Sequence, residues 1–438
     1  MKIIHTSDWH LGQIFNEYDR TPEHAAFFER LTSIIAKEKP DALIVSGDIY
    51  HNSTPSSSTQ KLYTDAILEM KKACKEMTVI ITAGNHDSPS RLEIDRNLWD
   101  YMGVKVIGSV SRREGMPDLE KHIIAIPSSD GGTAGYVIAL PHIYRQNYPA
   151  VQEEDLSDRQ EESRPDTDGG SGPVTHRQKA FYKSLLERVS ERNPDNLPVV
   201  MMAHLAVSGC DISGHEEPIG GMEYTSLDTF PKGYDYLALG HIHHPQTLKN
   251  GSLSGKDGTY DSSVARYCGS PVAVSFDEDY THSVSLVEIS GPGRDGRKTV
   301  TVRPVEIPQD IPMKTIPGNP VPFESALEAL GDFPDETEAY IRLNVSIKDY
   351  LPQNASARAV EAARFKKCRY CCMKVTRETA FGSESRPLLS VEEIRTASPV
   401  DMAGLYYRQR FGTDLEPEMK SMLEEVAAEE SKDREEKR

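Results

Sequence analysis

The sequence predicts a mixed α/β domain followed by a smaller α+β unit. Short apolar runs alternate with helical patterns through roughly the first 310 residues, which indicates a parallel or mixed sheet covered by helices. Residues 311–322 are rich in proline and glycine and predict a linker, after which the alternation resumes on a smaller scale. A chain of 438 residues has room for both units.

The first third of the chain alternates strands with helices. Residues 2–6 form an apolar run that is typical of a strand. The Thr21-Pro22 pair then predicts the start of a helix, because threonine caps helices and proline is tolerated in their first turn. Further strands are predicted at 42–45 and 79–82, on either side of a helix at 62–73.

The middle of the chain continues this pattern after a polar insertion. Residues 151–173 consist mainly of Glu, Asp, Ser and Gly, and they predict a solvated loop. A helix at 180–189 then leads into strands, the last of which alternate as antiparallel strands do. The predicted strands are 199–202, 236–239, 283–289 and 299–307, with a polar hairpin tip at 251–263.

The rest of the chain predicts a small α+β unit and a terminal helix. Two helices and two strands alternate in the small unit, at 323–330, 339–345, 355–365 and 369–375. From residue 416 onward, Met419, Met422 and Leu423 share one helical face before a charged run. That face fits either a docking helix or a solvated surface helix with a frayed end.

Composition and charge exclude several classes of protein. No run of about 18 apolar residues occurs, which excludes a membrane-spanning helix, and the N-terminus lacks a secretory signal pattern, so we expect a cytoplasmic protein. The six scattered cysteines predict no disulfide framework. With 50 Lys and Arg against 68 Asp and Glu, the net charge of −18 argues against coating nucleic acid by bulk attraction. A local basic groove is compatible with it.

Polar clusters stand at the carboxyl ends of five predicted strands. Ligands collect at those ends in α/β sheets, so the clusters should converge on one site. Each cluster alone would more often be a turn, a cap or a hydrogen-bonded core histidine, so the prediction depends on all five together. The clusters are Asp8-Trp9-His10, Gly47-Asp48, Gly84-Asn85-His86-Asp87, His204 and Gly240-His241-Ile242-His243.

These clusters offer oxygen and nitrogen donors without a thiolate. Two of their aspartates (Asp8 and Asp48), Asn85 and four of their imidazoles (His10, His204, His241 and His243) suit Mn²⁺, Fe²⁺ or Zn²⁺ better than Ca²⁺, which prefers oxygen alone. Seven donors exceed the needs of one tetrahedral ion and fit two ions that share a carboxylate. Two such ions form a clamp for in-line displacement at phosphorus, so phosphoester hydrolysis is the predicted chemistry.

In this order the clusters resemble the signature of the calcineurin-like metallophosphoesterases. Longer motifs resemble the bacterial nuclease subunits of that family that act with the SMC-like ATPase SbcC. These motifs are SDWHLG (7–12), SGDIYH (46–51), AGNHDS (83–88), YLALGHIH (236–243) and YCGSP (267–271). The resemblance implies a four-layer β-sandwich flanked by helices at 1–308, a capping domain at 309–399 and an SbcC-binding helical segment at 400–438.

The resemblance also implies a role for each site residue. Asp48 would bridge two divalent ions, most simply Mn²⁺. The other ligands would be Asp8, His10 and His243 for one ion, and Asn85, His204 and His241 for the other. His86 would protonate the leaving oxygen, and Asp87 would orient its ring. His51 would contact the scissile phosphate, although the residues alone also allow an ordinary loop histidine.

The activity implied by the resemblance is hydrolysis of DNA. It comprises 3′-to-5′ exonuclease action on duplex ends and endonuclease action at hairpins or single strands, by a homodimer working with SbcC in DNA repair, replication and recombination. Two alternatives stay open: a small-molecule phosphodiesterase or phosphatase with the same metal site, and a scaffold braced by its metals. The Gly-Ser-Pro motif at 269–271 and the C-terminal extension favour the nuclease, while His86 has no purpose in a scaffold.

Overall fold

A computed structural model describes residues 1–128, 130–150, 173–214, 223–248, 258–260, 263–293 and 296–377, together with 419, 420 and 422. The chain divides into two compact units, Met1–Thr376 and Arg377–Arg438, and nearly all of the second lies outside the described residues. The loop expected at 151–173 falls outside them except for its last residue, as does most of the helix expected from residue 416. Within the described ranges, no helix is long and apolar enough to cross a membrane.

Three sheets carry the described unit. In chain order their strands are β1 (Lys2–Thr6), β2 (Ala42–Ser46), β3 (Thr78–Thr82), β4 (Val104–Ile107), β5 (Ile123–Pro127), β6 (Thr133–Ala139), β7 (Val199–His204), β8 (Tyr236–Gly240), β9 (Gln246–Leu248), β10 (Thr259–Tyr260), β11 (Val264–Tyr267), β12 (Ser283–Ile289), β13 (Val300–Glu306), β14 (Met313–Pro322), β15 (Tyr340–Ile347) and β16 (Arg369–Arg377). Three pairs of two-residue strands decorate the loops: Ile14–Phe15 with Tyr18–Asp19, Arg112–Arg113 with Met116–Pro117, and Ala206–Val207 with Tyr224–Thr225.

The helices are α1 (Thr21–Glu38), α2 (Ser57–Ala73), α3 (Pro89–Leu92), α4 (Arg96–Tyr101), α5 (Pro173–Arg192), α6 (Phe323–Gly331) and α7 (Ala355–Ala363), with 3₁₀ turns at Leu119–His122, Arg145–Asn147 and Leu227–Thr229. Ser56 caps α2 by accepting a hydrogen bond from the amide of Thr59. In α1 the structure corrects the expected cap: Arg20 holds the cap position and Thr21 is the first helical residue. The hydroxyl of Thr21 instead donates to Asp19.

The first sheet has the order β10-β13-β12-β1-β2-β3-β4, and β1 to β4 run parallel. The second sheet has the order β9-β11-β8-β7-β6-β5, with β6, β7, β8 and β11 parallel. Apolar side chains from both sheets form one buried core between them, as Ile44 and Met202 illustrate. Helices α1 and α2 cover the outer face of the first sheet, and α5 covers the second. The result is the expected four-layer arrangement of helix, sheet, sheet and helix.

The third sheet, β14-β15-β16, packs on α6 and α7 and has its own core, which includes Leu330 and Leu343. The linker expected at 311–322 is wrong, because Met313–Pro322 is strand β14 and pairs in parallel with β15. Its prolines are tolerated because β14 is an edge strand, where a missing amide hydrogen breaks no ladder on the open side. The predicted domain boundary between residues 308 and 309 falls inside the compact unit Met1–Thr376 and stays a prediction.

Candidate active site

The five polar clusters meet at one edge of the two large sheets. Asp8 and His10 follow β1, Asp48 follows β2, and Asn85 follows β3. His204 ends β7, directly beside Gly240 at the end of β8. Backbone hydrogen bonds join the loops: the amide of Asp8 donates to the carbonyl of Gly47 (3.0 Å), and the amide of His10 donates to that of Asp48 (3.1 Å). The predicted convergence is therefore present.

Left-handed backbone marks the ligand loops. Asp8, His10, Asp48 and His241 have φ angles of 53°, 47°, 51° and 97°. A residue with a side chain pays about 1–3 kcal/mol for such a conformation, which persists only where its surroundings enforce it. Here the enforcement includes the amide of His241, which donates to the carboxylate of Asp8 across the two sheets at 3.0 Å. Concentrated strain of this kind is typical of a functional site.

One group of donors contains Asp8, His10 and His243, whose ligand atoms all lie within 4.8 Å of one another. The Nε2 atoms of His10 and His243 are 3.2 Å apart. Asp48 reaches toward this group, with Oδ2 at 3.8 Å from His10 Nε2. All four side chains are buried, so their donor atoms are shielded from bulk water.

A second group contains Asp48, His204 and His241, together with the amide oxygen of Asn85. That oxygen lies 3.0 Å from Nε2 of His204 and 3.0 Å from Nδ1 of His241. Asp48 Oδ2 is 3.3 Å from Nε2 of His204, and the other oxygen, Oδ1, accepts a hydrogen bond from the amide of His86 at 2.9 Å. Oδ2 of Asp48 therefore lies between both groups, as a bridging ligand would.

The chemistry of these donors fits divalent cations. Nδ1 of His204 donates to the carbonyl of Ser46 at 2.7 Å, and Nδ1 of His243 donates to Glu278 at 3.1 Å. In the neutral form of each ring the lone pair is therefore on Nε2, the atom that faces the other donors. Burial opposes charge on both Asp48 and His204, yet their attraction prevails: the pKa of Asp48 falls well below its ordinary value and the pKa of His204 rises to about 9. The site thus favours positive charge between them.

His86 and His51 lie at the open side of the metal-binding groups. Their rings stack with centroids 6.0 Å apart, and Nε2 of His86 is 4.0 Å from Asp48 Oδ2. The His86 side chain is 41% exposed, so it can meet a substrate. Burial and the nearby His86 lower the pKa of His51, which favours a neutral ring.

The structure corrects the expected contact between Asp87 and His86. Nδ1 of His86 donates to the carbonyl oxygen of His51 at 3.0 Å. The carboxylate of Asp87 instead accepts hydrogen bonds from the backbone amides of Ile49 (3.1 Å), Tyr50 (2.9 Å) and Gly84 (2.8 Å). Burial and the charge of Asp48 raise the pKa of Asp87 to about 6. Asp87 therefore fastens the β2 and β3 loops together, and any effect on His86 passes through that backbone.

Sequence reasoning missed two residues that hold ligands in place. Glu278 contacts His243 from a loop that matches no metal-binding motif. His142 donates its amide to the carbonyl of Ala83 (2.7 Å) and Nδ1 to the carbonyl of His204 (3.0 Å), which joins the ends of β3 and β7. Neither residue carries a local signal, because the contacts arise between loops far apart in the sequence.

A cavity of about 380 Å³ opens beside the second donor group. Asn85 and His241 form part of its lining, and Tyr144 and Tyr224 are 54% and 43% exposed there. Arg145 supplies a cation to the same lining. The cavity thus combines aromatic rings, the cation of Arg145 and the carboxylate of Glu223 with the candidate metal ligands.

Two groups of metal-binding side chains on either side of Asp48, with histidines at the open side, fit a metal-dependent phosphoester hydrolase. The chain belongs to the calcineurin-like phosphoesterase family, whose model matches residues 1–245. Three similar curated proteins are named as the SbcD component of the nuclease SbcCD. The one from Rhodobacter capsulatus is 32% identical over 335 residues, covering 75% of each chain. The Bacillus subtilis protein is 30% identical, covering 67% of this chain and 68% of the relative. The Escherichia coli K12 protein is 26% identical, covering 80% and 79%.

Proposed function

We propose that this chain is the nuclease component of a complex with an SbcC-type ATPase, hydrolysing DNA phosphodiester bonds in repair, replication and recombination. One observation carries the proposal: Oδ2 of Asp48 lies between two groups of metal-binding side chains in a chain similar to proteins named as the SbcD component of the nuclease SbcCD. The proposed actions are 3′-to-5′ degradation of duplex ends and cleavage at hairpins or single strands. They would take place in the cytoplasm, at the nucleoid.

The proposal assigns two Mn²⁺ ions to the donor groups. Asp8, His10 and His243 would hold one ion, and Asn85, His204 and His241 the other, with Asp48 shared. When bound, two divalent ions polarise a phosphoester and acidify water at neutral pH. The protein's contribution is a largely buried set of donors, and the hydrogen bonds from His204 to Ser46 and from His243 to Glu278 orient two of the rings.

His86 and His51 would act on the phosphate and the leaving group. With Nδ1 of His86 fixed on the His51 carbonyl, Nε2 lies 4.0 Å from Oδ2 of Asp48, beside the donor groups, and a proton held there would pass to the leaving sugar oxygen. Nδ1 of His51 is buried and has no hydrogen-bond partner among the described residues. A phosphate oxygen or its bound water is a natural partner for it.

The cavity beside Asn85 and His241 supports nucleic acid as the substrate. Tyr144 and Tyr224 present rings on which bases can stack, and Arg145 offers a partner for phosphate. The net charge of −18 makes general attraction to DNA weak, so a basic partner surface would help to hold DNA ends. We propose SbcC as that partner, contacted through residues 400–438, and residues 309–399 as a cap that helps select ends.

A homodimer is part of the proposal. Ile94, Leu98 and Tyr101 in and beside α4 are 76%, 66% and 92% exposed, an unusual apolar concentration on a short surface helix. Burying such a face against a second copy would remove it from water. The double change of Leu98 and Tyr101 to Glu should convert a dimer to a monomer in light scattering, whereas an unchanged mass would refute this face.

The nuclease itself is tested with a linear duplex labelled at one end. Stepwise release of nucleotides with Mn²⁺, absent with EDTA and lost in His86→Gln, would support both the activity and the acid. Bis-p-nitrophenyl phosphate serves as the small substrate. Cleavage of that diester with DNA left intact, even with SbcC and ATP present, would move the function to small molecules.

The partner is tested by removing residues 414–438. The truncated chain should fail to co-purify with SbcC while keeping its Mn²⁺-dependent hydrolysis of bis-p-nitrophenyl phosphate. Retained co-purification would refute the assignment of this segment.

A further inference from the structure

Glu278 lies behind the candidate metal ligand His243, on the side away from His10. It is 8% exposed, and its carboxylate accepts three hydrogen bonds: from Nδ1 of His243 (3.1 Å), the hydroxyl of Ser270 (3.0 Å) and the amide of Val274 (3.1 Å). Three donors fix the direction of the carboxylate. Glu278 therefore fixes the ring of His243 in turn.

This contact decides which nitrogen of His243 can bind a metal. Because Glu278 accepts a hydrogen bond from the N–H at Nδ1, the lone pair of the neutral ring is on Nε2. That atom lies 3.2 Å from Nε2 of His10 and belongs to the donor group with Asp8. A carboxylate behind a metal-binding histidine also makes the ring a stronger ligand.

The loop that carries Glu278 is tied to the third sheet. Both Nη atoms of Arg342, in β15, donate hydrogen bonds to the carboxylate of Asp277, at 2.7 and 3.0 Å. Its Nε donates a hydrogen bond to the hydroxyl of Thr315, in β14, at 3.0 Å. The same guanidinium lies 5.1 Å from the ring centroid of Phe276. From β16, Nζ of Lys374 lies 3.6 Å from the Asp277 carboxylate. Strands β15 and β16 thus contact the two residues before Glu278, and β14 holds the guanidinium of Arg342 in place.

We propose that Glu278 is a positioning residue for His243, and that the Arg342–Asp277 ion pair makes this positioning depend on the third sheet. A shift of that sheet would move residues 276–278 and turn His243 away from His10. In the other donor group, the contact that orients a ring is the hydrogen bond from His204 to the carbonyl of Ser46. The third sheet therefore controls one metal-binding group and leaves the other in place. The inference rests on the proposed function in one respect, that His243 binds a metal.

Two variants separate the two parts of this inference. In Glu278→Gln, the amide NH₂ facing His243 favours the ring tautomer with its proton on Nε2, which occupies the lone pair needed for the metal. Affinity for one of two Mn²⁺ ions should fall about 10- to 100-fold. Arg342→Ala leaves Glu278 in place but releases its loop, and should weaken the same ion by about 2- to 30-fold. Arg358→Ala is the matched control, since it removes a bidentate pair with Glu324 elsewhere in the small unit.

The measurement is calorimetric titration of the metal-free full chain with Mn²⁺, with EPR of the coupled Mn²⁺ pair and the Tm of the metal-free protein. The inference is supported if both variants bind one of the two Mn²⁺ ions more weakly while their Tm is unchanged, and if Arg358→Ala binds both ions with wild-type affinity. Two wild-type affinities in Glu278→Gln overturn the positioning role. Should that variant fail to fold, Arg342→Ala decides alone: a result equal to Arg358→Ala overturns the coupling. A wild-type chain that binds no Mn²⁺ overturns the proposed metal site as well.

Discussion

Replacing Gly240 by alanine tests how closely the two large sheets must approach at the candidate metal site. A Cβ atom on Gly240 would lie 1.9 Å from the carbonyl oxygen of Ser46 and 2.9 Å from Nδ1 of His204. Real Cβ contacts essentially never fall below 3.0 Å, so the Ser46 carbonyl must retreat by about 1.1 Å. That carbonyl ends β2 and also accepts the hydrogen bond from His204 at 2.7 Å.

The retreat acts on Asp48, the proposed bridging ligand, because Asp48 follows Ser46 by two residues. Overpacking of this kind costs about 1–3 kcal/mol of folding free energy. Its effect on activity should be larger, since a displacement of about 1 Å in a reactive constellation costs on the order of 100-fold in rate. Asp48 Oδ2 would move away from Nε2 of His204, now 3.3 Å distant, and the second ion would lose a ligand.

The assay compares Gly240→Ala with Gly331→Ala, where a Cβ would meet nothing within 4 Å. Urea unfolding reports the cost in stability, Mn²⁺ titration reports the sites, and hydrolysis of bis-p-nitrophenyl phosphate reports the rate. We expect Gly240→Ala to fold, to bind Mn²⁺ more weakly at one site and to have a kcat/KM about 100-fold lower. Gly331→Ala should match the wild type in stability, Mn²⁺ affinity and rate. A Gly240→Ala protein with two wild-type sites and a wild-type rate would refute this reading of the sheet contact.

Four further changes have defined outcomes. His86→Gln should lower kcat by about 10²- to 10⁴-fold while Mn²⁺ affinity is kept, because it removes a proton donor and no ligand; equal kcat would exclude His86 as the acid. EDTA should abolish hydrolysis reversibly, and Asp48→Asn should weaken both Mn²⁺ sites in calorimetry, whereas loss of only one would contradict a bridge. Burial lowers the pKa of His5 to about 3, so below pH 6.5 the unfolded chain binds a proton that the folded chain refuses. Above pH 6.5 the fold keeps its full free energy of unfolding with respect to His5. By pH 5 the proton bound only by the unfolded chain lowers that free energy by about 2 kcal/mol. In urea unfolding of the metal-free protein, His5→Gln should reduce the loss of stability between pH 7.5 and 5 by that amount, and an equal loss would contradict the burial argument.

Much of the fold was accessible from the sequence because buried parallel strands are short, uninterrupted apolar runs. The predicted strand at 42–45 is β2, Ala42–Ser46, and the one at 283–289 is β12 without change. Prediction failed at 311–322, where proline and glycine suggest a linker. Edge position permits these residues in β14, and edge position depends on which strands pair, which local composition does not report.

The candidate site was accessible for a different reason. Ligands placed directly after parallel strands must share one edge of the sheet, so Asp8, Asp48 and Asn85 could be grouped without knowing any distance. The assignment of Asp87 to His86 failed because adjacency in the chain says nothing about side-chain direction. Glu278 was out of reach because 35 residues separate it from His243 and only the folded loop brings the two together.

The ligand loops are built to keep their shape through protein contacts. Backbone hydrogen bonds connect Asp8 with Gly47 and His10 with Asp48, and the Asp8 carboxylate holds the amide of His241. These bonds join protein groups and help to hold the left-handed conformations of four proposed ligands. The folding free energy of the two sheets therefore provides most of the work of orienting the donors. A metal would therefore bind donors that are already oriented, and little of its binding free energy would be needed to order the loops.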